Sequence, residues 1–197
     1  MIGESLKMKT TSLFVEIVVI GLGGFTWVVL ILFSIFGYDE AKLSLVNSLP
    51  TAITTLAFIY VLGIIIDRIA DNLYQDIILN KIIKKSQIKT KKEYHKLRAL
   101  VIDKHEQWAE RIAYSRSRQR ILRSWILNFI LLIICGNIFI WTQLSKQQIT
   151  TSIVMTLILF FLIVGSYFAL YDLSKNEVEK LEFFSDELKQ SITKNAD

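Results

Sequence analysis

The sequence has 197 residues, 52% of them hydrophobic, and 23 Lys and Arg against 18 Asp and Glu give a formal net charge of +5. Its mean hydropathy is +0.43, and a soluble chain of this size cannot hide so much apolar surface, because small domains leave a large share of their area in water. An ordinary soluble domain is therefore not expected; an all-α integral membrane protein is.

The apolar residues are gathered in four uncharged blocks, 17–37, 43–66, 125–145 and 147–171. Each holds the roughly 20 residues that a helix needs to cross the hydrocarbon layer. Transmembrane helices are expected at about 13–37 and 44–66, forming one hairpin over 1–66. Two more are expected at about 123–144 and 149–171, forming a second over 123–171.

Lys7 and Lys9 precede the first block in the manner of a signal peptide. The apolar stretch is about twice the length of a signal core and no small-x-small site follows, so a retained helix is expected. Within it, Gly21-Leu22-Gly23-Gly24 has the look of a dinucleotide loop but no preceding strand. Small residues let membrane helices approach closely, so Gly21, Gly23 and Gly24 are assigned to helix packing. At the second block, Ser48 and Pro50 stand where an N-cap and a first-turn proline begin a helix. Phe36, Tyr38, Trp125, Trp141, Tyr167 and Tyr171 lie near block ends, as in an interfacial aromatic belt.

Between the second and third blocks, residues 67–124 carry fifteen of the 23 basic residues, and the two short connections carry only Lys42 and Lys146. Positive charge marks the cytoplasmic side. The chain is thus expected in the inner (cytoplasmic) membrane, multi-pass, with the central segment and both termini in the cytoplasm. Ile69, Leu73, Ile77 and then Ile82 or Ile83 continue the second helix beyond the membrane at helical spacing. A turn is expected over 86–92. A return helix then carries Leu97, Val101, Trp108 and Ile112 on one stripe. Residues 67–122 therefore read as a basic, antiparallel cytoplasmic helical hairpin.

Two basic groups stand out on that hairpin. Lys81, Lys84, Lys85, Lys89, Lys91 and Lys92 gather at its expected tip, as a solvated turn or as a surface that steers a soluble cytosolic protein partner. Arg111, Arg116, Arg118, Arg120 and Arg123 lead into the third block. Helical spacing puts Arg116, Arg120 and Arg123 on one face and Arg111 with Arg118 on another. Arginine forks grip phosphate in bidentate fashion. Anionic lipid headgroups are the first expectation for them, an acidic protein the second. Nucleic acid or an anionic nucleotide signal is the third, since no binding module accompanies the charge.

Deeper in the third block, Asn128 and Asn137 are expected to make inter-helix hydrogen bonds and, nine residues apart, to face about the same way. The single Cys135 precludes an intramolecular disulfide. After the fourth block, residues 172–197 carry seven acidic and four basic residues. Val178, Leu181, Phe184, Leu188 and Ile192 form a helical stripe there. This cytoplasmic tail helix, net −3, is expected to pack on the hairpin, net +8, of its own or a neighbouring chain.

No catalytic constellation emerges. His105-Glu106 begins like a zinc-protease motif, but the second ligand position is Ala109. His95 and His105 do not share a helix face. No catalytic, metal or cofactor residues are assigned, and no enzyme is expected. The expected function is a homo-oligomeric membrane interaction protein that presents basic cytoplasmic helices to a soluble partner or anionic signal. The alternative is a channel or membrane-disrupting effector. In architecture, a basic helix leading into a membrane hairpin over roughly 91–195 resembles small bacterial membrane effectors of antiviral defence, a likeness that implies a triggered leak.

Overall fold

The structure is a computed structural model. It describes residues 2–37, 49–86, 88, 90–104, 106–144 and 146–194, with side chains at 13–37, 51–86, 88, 90–102, 110–144 and 146–184. These residues form helices α1 (Ile2–Phe36), α2 (Leu49–Tyr74), α3 (Asn80–Ile83), α4 (Lys91–Lys104), α5 (Glu106–Gln143) and α6 (Gln148–Lys194). Among the described residues there is no strand. Four stretches, Leu13–Phe36, Thr51–Ile83, Glu110–Gln143 and Gln148–Phe184, are long and apolar enough to cross a membrane.

Several expected boundaries mark changes of composition and not helix ends. α1 begins at Ile2, because no proline stands in the polar residues before the first apolar block. α5 runs through residue 123 and α6 through residue 171 without a break. Pro50 is the second residue of α2, a place where a missing N–H costs nothing. Ser48, Tyr38, Lys42 and the expected helix start at 44 lie outside the described residues, as does Lys89.

The chain divides into two compact units: Met1–Ala70 with Ile121–Tyr167, and Asp71–Arg120 with Phe168–Asp197.

In the first unit, glycine sets how closely α1 and α2 meet. A Cβ on Gly21 would fall well inside contact distance of the Ile59 carbonyl, and one on Gly63 would meet the Ile17 carbonyl in the same way. With backbone this close, dispersion attraction runs along both helices, the main source of helix association where lipid is as apolar as the side chains. Gly24 makes room for Leu62 and Ile66. Phe14 stacks on Tyr60 with centroids 5.2 Å apart, and Phe25 meets Phe58 edge-on at 6.3 Å.

Asn128 fastens α5 to α1. It is fully buried; its Nδ2 donates to the Ile20 carbonyl at 3.0 Å, and its Oδ1 accepts from Trp27 Nε1 at 3.3 Å. A Cβ on Gly23 would lie 2.5 Å from that Nδ2, so the glycine leaves the space through which the amide reaches a helix carbonyl. Asn137 joins α5 to α6 instead: its Nδ2 donates to Thr156 Oγ1 at 3.2 Å and its Oδ1 accepts from the Ser152 hydroxyl. The expectation that the two asparagines face alike is thus corrected. Nine steps of about 100° leave residues half a turn out of phase, and they serve opposite neighbours. Replacing Asn128 by Ala is expected to lower stability by about 1 kcal/mol, the scale of an inter-helix membrane hydrogen bond. A thermal midpoint in detergent unchanged from the parent would contradict that role.

Past Asp67, at the end of the first unit and on into the second, the buried face differs from the expected one. Ile69, Leu73 and Ile77 are 48%, 46% and 62% exposed, whereas Ala70, Tyr74, Ile78, Leu79, Ile82 and Ile83 are buried. The stripe is displaced by one residue because Tyr74 turns inward, its hydroxyl donating to Ser174 Oγ at 2.8 Å. A π-helical turn, Gln75–Leu79, then follows, closed by the Asn80 N–H on the Gln75 carbonyl. The chain leaves α3 after Ile83, two residues before the expected turn, and α4 begins at Lys91, inside the stretch expected as turn. Of the expected return stripe, Val101 and Ile112 are buried; the side chain of Trp108 lies outside the described residues. On α6, Val178, Leu181 and Phe184 are buried as a stripe, and Leu188 and Ile192 lie beyond the described side chains.

Candidate functional site

The polar centre of the second unit is Glu177. Sequence position makes it conspicuous: Leu170, Ser174, Val178, Leu181 and Phe184 are spaced to bury one face of α6, and Glu177 sits within that face. Its side chain is 5% exposed. A carboxylate taken so far from water needs donors for both oxygens, and two neighbouring helices supply them. Tyr94 Oη donates to Oε1 at 2.9 Å and Gln119 Nε2 to Oε2 at 2.9 Å. The Arg98 guanidinium, itself 12% exposed, lies 3.0 Å from Oε1. The donors come from two helices, Tyr94 and Arg98 from α4 and Gln119 from α5, so one carboxylate ties α4 and α5 to α6.

The surroundings fix the protonation of the partners. Burial, then the negative charge of Glu177, pushes the Tyr94 hydroxyl far above the ordinary phenol range, so it remains a donor. Burial, followed by the positive charges of Arg98, Arg116 and Lys91, holds His95 below the usual imidazole value, and the ring is neutral at physiological pH. The Arg98 guanidinium also stands 5.8 Å over the Tyr94 ring.

Beside this node a cavity of about 190 Å³ opens. Val101, Ile112, Leu173, Leu181 and Phe184 give it an apolar lining, and Arg111, Arg118 and Lys180 add positive charge to it. Arg118 is held in place by its neighbour one turn back: it donates to the Tyr114 hydroxyl and stacks 4.4 Å over the ring.

The basic residues singled out in the sequence are distributed as follows. Arg111 and Arg118, two turns apart on α5, both line the cavity and Arg116 does not; all three are exposed. Arg123 belongs to the first unit and pairs with Asp67 at 3.0 Å. Arg120 is partly buried. Lys81, Lys84, Lys85 and Lys92 are exposed, and Lys91 pairs with Asp76 at 3.2 Å. Among the described residues, no three His, Cys, Asp or Glu side chains come together as a metal site.

Sequence reasoning did not find Tyr94, Arg98, Gln119 or Glu177. The one signal available was the carboxylate inside an otherwise apolar stripe, a position that folding tolerates only when partners arrive from elsewhere. No family model, curated protein or solved structure matches this chain.

Proposed function

We propose that this is a multi-pass inner-membrane protein, homo-oligomeric and with both termini in the cytoplasm, that presents basic helices to an acidic soluble partner. The observation that carries the reading is the exposure of Lys81, Lys84, Lys85 and Lys92 around the connection from α3 to α4. Side chains buried for structure do not look like this. Clustered cations raise the local concentration of an acidic partner and speed its docking, an effect that salt suppresses. Self-association is supported by the exposed Ile69, Leu73 and Ile77, an apolar row among Asp67, Arg68, Asp71 and Asp76 that lipid alone does not suit. No catalytic role is assigned to the chain.

The test is purification of the tagged full chain from native membranes in mild detergent, beside a variant with Lys84, Lys85 and Lys92 changed to Glu. The wild type is expected to carry a stoichiometric acidic protein, released by raised salt and reduced at least about tenfold in the variant. An oligomer of equal mass with no soluble partner in either sample would end this reading. Ion-flux assays on that oligomer would then examine the leak-forming alternative.

A further inference from the structure

We propose that the cavity between α4, α5 and α6 is a specific site for one anionic membrane phospholipid, a ligand distinct from the soluble partner and independent of it. Three features support this.

The first is the chemistry of the walls. Five apolar side chains line the cavity together with the cations Arg111, Arg118 and Lys180. A free phosphate would make no use of the apolar lining, and a neutral apolar molecule would make none of the charge. A phosphate joined to an acyl-glycerol body uses both, with the hydroxyls of Tyr114 and Ser115 also lining the space. Charge-assisted hydrogen bonds from guanidinium to phosphate are the strong ones.

The second is that the anionic wall does not oppose an anion. Glu177 borders the cavity, but Arg98 balances its charge and Tyr94 and Gln119 occupy its oxygens. Arg118, by contrast, spends one donor on Tyr114 and retains the rest of the five that a guanidinium carries. Its stacking on the Tyr114 ring lowers the entropy lost when it grips a ligand.

The third is position in the chain. Leu173 comes two residues after Tyr171, the end of the fourth apolar block, and Arg118 comes seven before Trp125, the start of the third. Lys180 and Arg111 lie nine and fourteen residues beyond the same block ends, so at about 1.5 Å per residue the cations run from roughly 10 to 20 Å past them, a span that begins beside the headgroup layer. At about 190 Å³ the cavity is below the size range of sites that enclose drug-sized molecules. It therefore holds the glycerol-phosphate region and the start of an acyl chain, and the remaining tail stays outside.

The experiment uses full-length protein, stripped of lipid in an uncharged detergent and titrated under native mass spectrometry. The probes are phosphatidylglycerol, phosphatidylcholine of the same chains, and soluble glycerol phosphate. Phosphatidylglycerol is expected to saturate at one molecule per chain, at least about tenfold tighter than either other probe. Two variants locate the site. Arg118→Gln with Lys180→Gln removes two of the three cations, and Ser115→Trp fills the cavity with the cations left in place. Each is expected to weaken phosphatidylglycerol at least about tenfold, with the thermal midpoint reporting that the protein remains folded. Equal binding of the two lipids would overturn the proposal, as would failure to saturate. Glycerol phosphate binding as tightly as the lipid would show a free-anion site instead. Unaltered lipid binding by folded Ser115→Trp would place the lipid elsewhere.

Discussion

Gly21→Ala is expected to destabilise the first unit by about 3 kcal/mol, the upper range of overpacking in a close-packed interior. The added methyl group collides with the Ile59 backbone carbonyl, and the Ile59 carbonyl carbon is 2.8 Å from its position. A flexible side chain would swing away from such a collision. A helix backbone cannot, so α1 and α2 must separate and lose contact along their whole interface. Gly63→Ala meets the Ile17 backbone and is expected to behave alike. Gly165→Ala is the control: it has nothing within 4 Å, and alanine there is expected to hold or raise stability by up to about 1 kcal/mol through helix propensity. Thermal midpoints of the three variants in one detergent make the comparison. If Gly21→Ala melts with Gly165→Ala, the backbone contact does not hold the helices together.

The second large effect is expected at Glu177. Glu177→Ala should cost about 4 kcal/mol, because it leaves Arg98 charged and buried without its counter-ion. Glu177→Gln preserves the shape and still abandons the charge, so it too should be strongly destabilising. Tyr94→Phe removes a hydrogen bond to a charged group and is expected to cost about 2 kcal/mol. The informative variant is the double replacement Arg98→Met with Glu177→Met. Removing both charges of a buried pair is often neutral, whereas removing one is not. Recovery of most of the loss, measured as a double-mutant cycle on protease resistance of residues 71–120, would identify the pair as coupled. Additive losses would mean that Glu177 acts through other contacts.

How much of this was legible follows the range of the forces involved. Membrane-spanning helices depend on local composition, so 52% hydrophobic residues in four uncharged blocks suffice to place them. Gly21, Gly23 and Gly24 stood out as a local cluster of small residues; Gly63, which meets the Ile17 backbone from α2, stands alone in its block and gave no such signal. The Glu177 node was not legible, because Tyr94, Arg98 and Gln119 lie 83, 79 and 58 residues away in the chain, and no spacing rule links them. The asparagines show a different failure: both were recognised as polar anchors, but helical phase separates their partners. The stripe after Asp67 was misplaced by one residue for a specific cause. Apolar residues at 69, 73 and 77 and at 70, 74 and 78 are both spaced for a helix, and the partner across the chain that meets the second row, Ser174 on Tyr74, lies a hundred residues away.

The π-helical turn Gln75–Leu79 has an evolutionary consequence. Its closure from Asn80 to Gln75 encloses one residue more than an α-helical turn, so it has the geometry of a single-codon insertion absorbed in place. Loss of one codon between Gln75 and Leu79 would convert it to an ordinary turn and leave the faces before and after it aligned. The same loss within α2 between Ile59 and Gly63 would rotate everything beyond it by about 100° and carry Gly63 away from α1. Along this one helical stretch, then, chain length is free to drift at one site and fixed a few turns earlier.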